Sequence, residues 1–117
     1  MNKKNLRFSI DLRSSKGDLA FQFNPRIDEN CVVSNTCDMN SQWDREQRSG
    51  AQPFKSGCRF EITFRLEYDR FYVDVDKKQI FEFAHRIWLQ DISQLSVHGD
   101  VVLFKIAYSN LNKYKPL

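Results

Sequence analysis

The chain has 117 residues, with 28% charged, 14% aromatic and a formal net charge of +3. That length suits one domain spanning 1–117, and the scarcity of Gly (4) and Pro (3) excludes a collagen-like or low-complexity chain. No run approaches the ~20 apolar residues of a membrane-spanning helix, and the stripe of basic residues that marks a nucleic-acid binder is missing, since Lys3, Lys4, Lys113 and Lys115 sit near the ends and the other charges alternate in sign.

Strand periodicity dominates from the start. Leu6, Phe8, Ile10 and Leu12 alternate with Arg7, Ser9, Asp11 and Arg13, which places apolar and polar sets on opposite faces. "SSKGD" supplies a turn. In "LAFQFNPR", Leu19, Phe21 and Phe23 share one face, while Ala20, Gln22, Asn24 and Arg26 share the other. "IDEN" makes a short connection, and "CVVSN" is a further strand with Cys31, Val33 and Asn35 on one side. "TCDMNSQ" reads as a loop, "WDREQR" as a short strand or its rim, and "SGAQPFKSG" as a turn-rich connection. Three more strands are expected at Phe60–Leu66, Phe71–Val75 and around Ile80–Phe83, parted by the tight turns "YDR" and "DKKQ". "RIWLQDISQ" suggests one helical turn, and "LSVHGDVVLFKIAY" two strands joined near Gly99, with His98 in the turn. Many short alternating strands without an ordinary helix define an all-β chain, and an antiparallel two-sheet β-sandwich is the expected form.

The three cysteines, Cys31, Cys37 and Cys58, are an odd count whose spacing fits no common zinc pattern, so free thiols and no metal are expected. His85 reads as a satisfied structural histidine. The start, "MNKKNLRFSIDL", lacks the long apolar run of a signal peptide, which suggests a cytoplasmic location.

The even-numbered face of "LAFQFNPR" asks for a ligand. Gln22, Asn24 and Arg26, joined by Asn35, Glu46 and Arg48, supply amides, guanidinium groups and a carboxylate, and Trp43 adds a broad aromatic plate. Taken singly, Asn24 and Arg26 read as a solvated sheet face, and Glu46 with Arg48 as a surface ion pair worth ~0–1 kcal/mol. Together they suit a neutral ligand rich in hydroxyls, each of which donates and accepts. The apolar face of a pyranose would stack on the indole for ~0.5–1.5 kcal/mol, as aromatic pairs do.

These residues occur in an ordered series: "FSIDL", "F-x-F-N-P-R", "V-V-x-N", "W-x-x-E-x-R", "P-F-x-x-G-x-x-F", "FYVDV", "FEFAHRI" and "I-x-x-L-x-V-x-GDV". The series closely resembles the carbohydrate-recognition domain of galectins over about residues 7 to 108. The resemblance implies a galectin-like jelly roll that binds β-galactosides such as lactose or N-acetyllactosamine, without catalysis, metal or cofactor. Carried over residue by residue, Asn24 and Arg26 would bond the axial 4-hydroxyl of galactose, and Asn35 and Glu46 the 6-hydroxyl. Trp43 would stack on the ring, Arg48 and Glu46 would reach the second sugar, and Glu46 would pair with Arg26 and Arg48. Partners would be galactose-containing glycans on glycoproteins or glycolipids, with no nucleic acid and no membrane insertion; a homodimer is an open alternative. Export without the usual secretory route is also implied.

The chain departs from the family at several points. Gln22 stands where galectins usually carry histidine, which suggests weakened or altered galactoside binding. Asp44 follows Trp43 where the family often has glycine, the Asn35–Trp43 loop is about one residue longer, and "DVDKKQ" replaces the common Asn-Gly turn. The lead before "FSIDL" is shorter than usual, so N-terminal edge strands are expected to be missing and Val101–Ala107 to be an uncovered edge strand. A galectin-like protein acting through protein contacts is therefore the alternative reading. A glycosidase needs two opposed carboxyl groups, and only Glu46, set between arginines, is in view.

Overall fold

The computed structural model describes residues 6–87 and 92–107. Eight strands follow in chain order: β1 (Phe8–Arg13), β2 (Leu19–Arg26), β3 (Cys31–Cys37), β4 (Gln47–Ser49), β5 (Ile62–Leu66), β6 (Arg70–Val75), β7 (Lys78–Ala84) and β8 (Gln94–Gly99). A 3-10 turn, Ile27–Glu29, joins β2 to β3 and ends at Asn30 in the left-handed region, φ 54°. Five strands form one antiparallel sheet in the order β4-β3-β2-β1-β8, and three form a second in the order β5-β6-β7. The all-β, two-sheet sandwich expected from the alternation is the observed fold.

The core lies between the sheets and is built from phenylalanine. Phe8, Ile10 and Leu12 of β1 and Phe21 and Phe23 of β2 meet Phe71, Val73, Val75, Phe81 and Phe83 of β6 and β7, all buried. Phe21 stacks on Phe83 with centroids 4.7 Å apart and planes 5° from parallel. Phe23 meets Phe81 edge-on at 5.3 Å. Phe54, from the long connection after β4, closes one end against Phe8 and Phe60 at 5.4 and 4.9 Å. Offset and edge-on pairs of this kind add to the area they bury.

Three expectations need correction. The strand expected from Phe60 begins at Ile62. The Asp76 carboxylate accepts from the Glu61 N–H at 2.9 Å, so that donor is spent on the β6–β7 turn, not on a ladder. That turn uses Asp76 and Lys77 at φ 51° and 69°, the two positive values that a two-residue hairpin loop of this hand requires. His98 lies within β8, not in a turn, and its Nε2 is 3.6 Å from the Asp11 carboxylate.

The third correction concerns Val101–Ala107, which forms no strand. Val101 packs against the core, but Val102 and Phe104 are each 74% exposed. A strand exists only as one side of a ladder, and among the described residues no neighbour pairs with this segment. Of "RIWLQDISQ", expected to hold a helical turn, residues 88–91 lie outside the described set, and Gln94 already begins β8.

Gly99 fixes how β8 joins β1. It pairs with Phe8 at φ +98°, and a Cβ there would lie 2.5 Å from the Arg7 carbonyl oxygen. Asp100 N–H donates to that same carbonyl at 2.8 Å. Gly99→Ala should therefore cost at least ~1–2 kcal/mol, read as a lower urea midpoint with an unchanged slope.

Candidate carbohydrate-binding site

The site grows from the outward face of the five-stranded sheet. Burial alternates along β2, with Phe21, Phe23 and Pro25 buried and Gln22, Asn24 and Arg26 half-buried on the other face. The β2–β3 register sets Gln22 opposite Asn35, and the β1–β2 register sets Asp11 opposite Gln22. Polar side chains thus form a row across three strands.

Trp43 comes from the loop after β3. Asp38 folds that loop: its Oδ1 accepts from the N–H groups of Asn40 and Gln42, both at 2.9 Å, an arrangement that Asp favours in tight turns. Asp44 N–H donates to the Thr36 carbonyl at 3.1 Å, and Trp43 bridges to Cys37. The indole is held at the rim and stays 54% exposed. Gln47 of β4 donates to the Glu82 carbonyl at 2.9 Å, which pins this edge to the second sheet.

The result is an open groove of about 400 Å³ lined by Gln22, Arg26, Val33, Asn35, Trp43, Asp44 and Glu46. Five of the seven expected site residues line it. Asn24 and Arg48 flank it. The Asn24 amide donates to the Phe8 carbonyl at 2.7 Å and accepts from Arg26 Nε at 2.9 Å, so it anchors the arginine.

Charge is arranged as a closed square. Glu46 contacts Arg26 at 3.6 Å and Arg48 at 3.0 Å. Glu29 completes it, contacting Arg26 at 3.3 Å and Arg48 at 3.6 Å, and reaches Arg7 at 3.2 Å. Arg48 donates to the Glu46 carboxylate, and that hydrogen bond and the carboxylate's negative charge hold the Arg48 guanidinium above its usual pKa. Beyond the square, Arg7 donates to both Asp28 oxygens at 3.1 and 3.2 Å. That hydrogen bond holds the Asp28 carboxyl below the usual carboxylate range. The Cys31 sulfur lies beside the square, 3.9 Å from Arg48 Nη1. All three cysteines are free, and the described residues contain no cluster of metal-ligating side chains.

Sequence reasoning missed four contributors. Glu29 was inside a stretch read only as a connection, although its i+3 spacing from Arg26 was a usable signal. Val33 shares the Asn35 face by alternation but was not read as a groove wall, and the Asp44 side of the groove was visible only once the loop was folded. Arg86 reaches Asn35 across 51 positions, and nothing local announces it. The expectation for His85 is half met: its Nε2 lies 2.8 Å from the Glu67 carbonyl, but its buried Nδ1 has no partner among the described residues.

A β-sandwich that presents an indole, amides and a neutral ring of paired charges on one open sheet face has the layout of a lectin. The family profile described as "Galactoside-binding lectin" matches residues 1–108, and the chain belongs to this family, the galectins. A 32 kDa beta-galactoside-binding lectin of Haemonchus contortus is 39% identical over 103 residues, covering 88% of this chain and 36% of that protein. Mouse galectin-3 is 41% identical over 101 residues, covering 83% and 38%. Among solved structures, sheep galectin-11 in complex with glycerol superposes with a TM-score of 0.77 at 33% identity, covering 90% of this chain and 77% of that one. The galectin LEC-6 of Caenorhabditis elegans gives 0.74 at 26% identity, covering 81% and 66%. The chain thus spans a little over a third of the length of the curated relatives it matches.

The Arg7–Asp28 pair is testable. A carboxyl with a lowered folded-state pKa contributes stability above its unfolded value, and that contribution fades as pH falls through the folded one. Arg7→Met should move the Asp28 midpoint up toward 3.8, followed by the carboxyl carbon shift in an NMR titration.

Proposed function

We propose that this chain binds β-galactosides of the lactose or N-acetyllactosamine type in the groove, by non-covalent recognition without metal or cofactor. The observation that carries the reading is the half-exposed Trp43 beside a carboxylate, Glu46, held between Arg26 and Arg48. The indole offers a plate for the C–H face of a galactose ring, and the polar row beside it offers donors and acceptors at its edge. Asn24 and Arg26 would bond the axial 4-hydroxyl, Asn35 and Glu46 the 6-hydroxyl, and Arg48 with Glu46 the second sugar. An equatorial 4-hydroxyl would miss the Asn24–Arg26 pair and leave half-buried polar groups poorly matched, which is costly. Because the groove is open, water offsets much of that cost, so affinity should be modest while selectivity remains useful.

The partners on this reading are galactose-bearing glycans of glycoproteins or glycolipids. Three free cysteines suit a start in the reducing cytoplasm, with export proposed as in the family. A homodimer would give the two sites that crosslinking of glycans needs.

The decisive measurement is retention on immobilised lactose, with release by free lactose but not by sucrose. Clean flow-through of folded protein would overturn the reading in favour of a lectin-like fold that acts through protein contacts. Trp43→Ala should weaken lactose binding about two- to tenfold, matching the loss of one stacking contact. Gln22→His should strengthen it, since imidazole is stiffer than the glutamine stem and loses less side-chain freedom on binding. An unchanged titration for the histidine variant would remove Gln22 from the account of affinity.

A further inference from the structure

Asn35 holds the most constrained amide in the groove, and one of its constraints comes from the opposite sheet. The residue is 6% exposed. Its Oδ1 accepts from the Thr36 N–H at 2.8 Å and from Arg86 Nη1 at 3.1 Å, and its Nδ2 donates to the Asp44 carbonyl at 2.9 Å. A side-chain amide has two acceptor positions and two N–H donors. Both acceptor positions are filled and one N–H is used, so a single N–H remains for a ligand.

The three neighbours also fix which end of the amide is which. A guanidinium and a backbone N–H only donate, and a backbone carbonyl only accepts. Flipping the amide would set donors against donors and oxygen against oxygen. Arg86 follows β7, and its guanidinium carbon sits 4.7 Å from the centroid of the Phe83 ring, which is buried in the core. The same Nη1 that meets Asn35 also donates to the Arg45 carbonyl, between Trp43 and Glu46. One side chain just past the end of β7 therefore ties down both Asn35 and the loop that carries the indole.

We infer that Arg86 is a positioning residue that fixes Asn35 as a donor-only reader of the ligand and clamps the Trp43–Glu46 loop. The inference rests on the galactoside reading of the groove. It has a directional consequence: a ligand hydroxyl between Asn35 and Glu46 accepts from the amide and gives its own proton to the carboxylate. A group that can only donate satisfies Glu46 alone, and a bare methyl satisfies neither.

The test compares the wild type with Arg86→Met and Arg86→Lys in the full chain. Lactose and a 6-deoxy-β-galactoside are titrated against each, and the Asn35 side-chain amide signals are followed by ¹⁵N NMR without sugar. Arg86→Met should lower lactose affinity roughly tenfold, the loss of one charge-assisted hydrogen bond. The 6-deoxy ligand should lose less, and the Asn35 amide signals should move. Arg86→Lys, which keeps a cationic donor, should recover part of the loss, and it serves as the comparison should the methionine variant not fold. Unmoved Asn35 signals, or equal losses for both ligands with no recovery by lysine, would overturn the inference. Failure of the wild type to bind lactose would instead sink the galactoside reading, and the sugar-free amide signals would still decide whether Arg86 orients Asn35.

Discussion

The structure depends on the two-residue alternation of β2. Phe21 and Phe23 enter the core, and Gln22, Asn24 and Arg26 leave it on the other side. A strand has no other way to dispose successive side chains. Slippage by one residue would bury an arginine and expose two phenylalanines, so the packing of Phe21 on Phe83 and Phe71 also sets the register of the groove. Core and site are two faces of one constraint.

The remaining site residues are brought to that face by local devices. Asp38 folds the loop that carries Trp43, and the 3-10 turn after β2 brings Glu29 back over Arg26. Gln47 and Arg86 then tie the edge of the first sheet to the second. Rigid strands supply the amides, and a braced loop supplies the indole.

The sandwich and the groove face were legible because period-two alternation is a local signal. Phe8–Leu12, Leu19–Arg26 and Phe71–Val75 carry it without interruption, and each is a strand. Val101–Ala107 is no less apolar, but whether such a segment becomes a strand depends on a partner, which no local pattern encodes. The groove's core set, Gln22, Arg26, Asn35, Trp43 and Glu46, came from spacing together with family resemblance. Arg86 did not, because its role arises from a contact made only after the chain folds back on itself, whereas Glu29 carried a local signal in its i+3 spacing from Arg26. His98 was misplaced because Gly99 beside it suggested a turn, whereas that glycine is there to let β8 approach the Arg7 backbone.

The square of Arg26, Glu29, Arg48 and Glu46 sums to no net charge. The field of the square itself falls away quickly with distance. For the uncharged sugar proposed as ligand, arrival would then be governed by diffusion and fit, and changes in ionic strength outside the protein would matter little to it. Recognition here is built for short range.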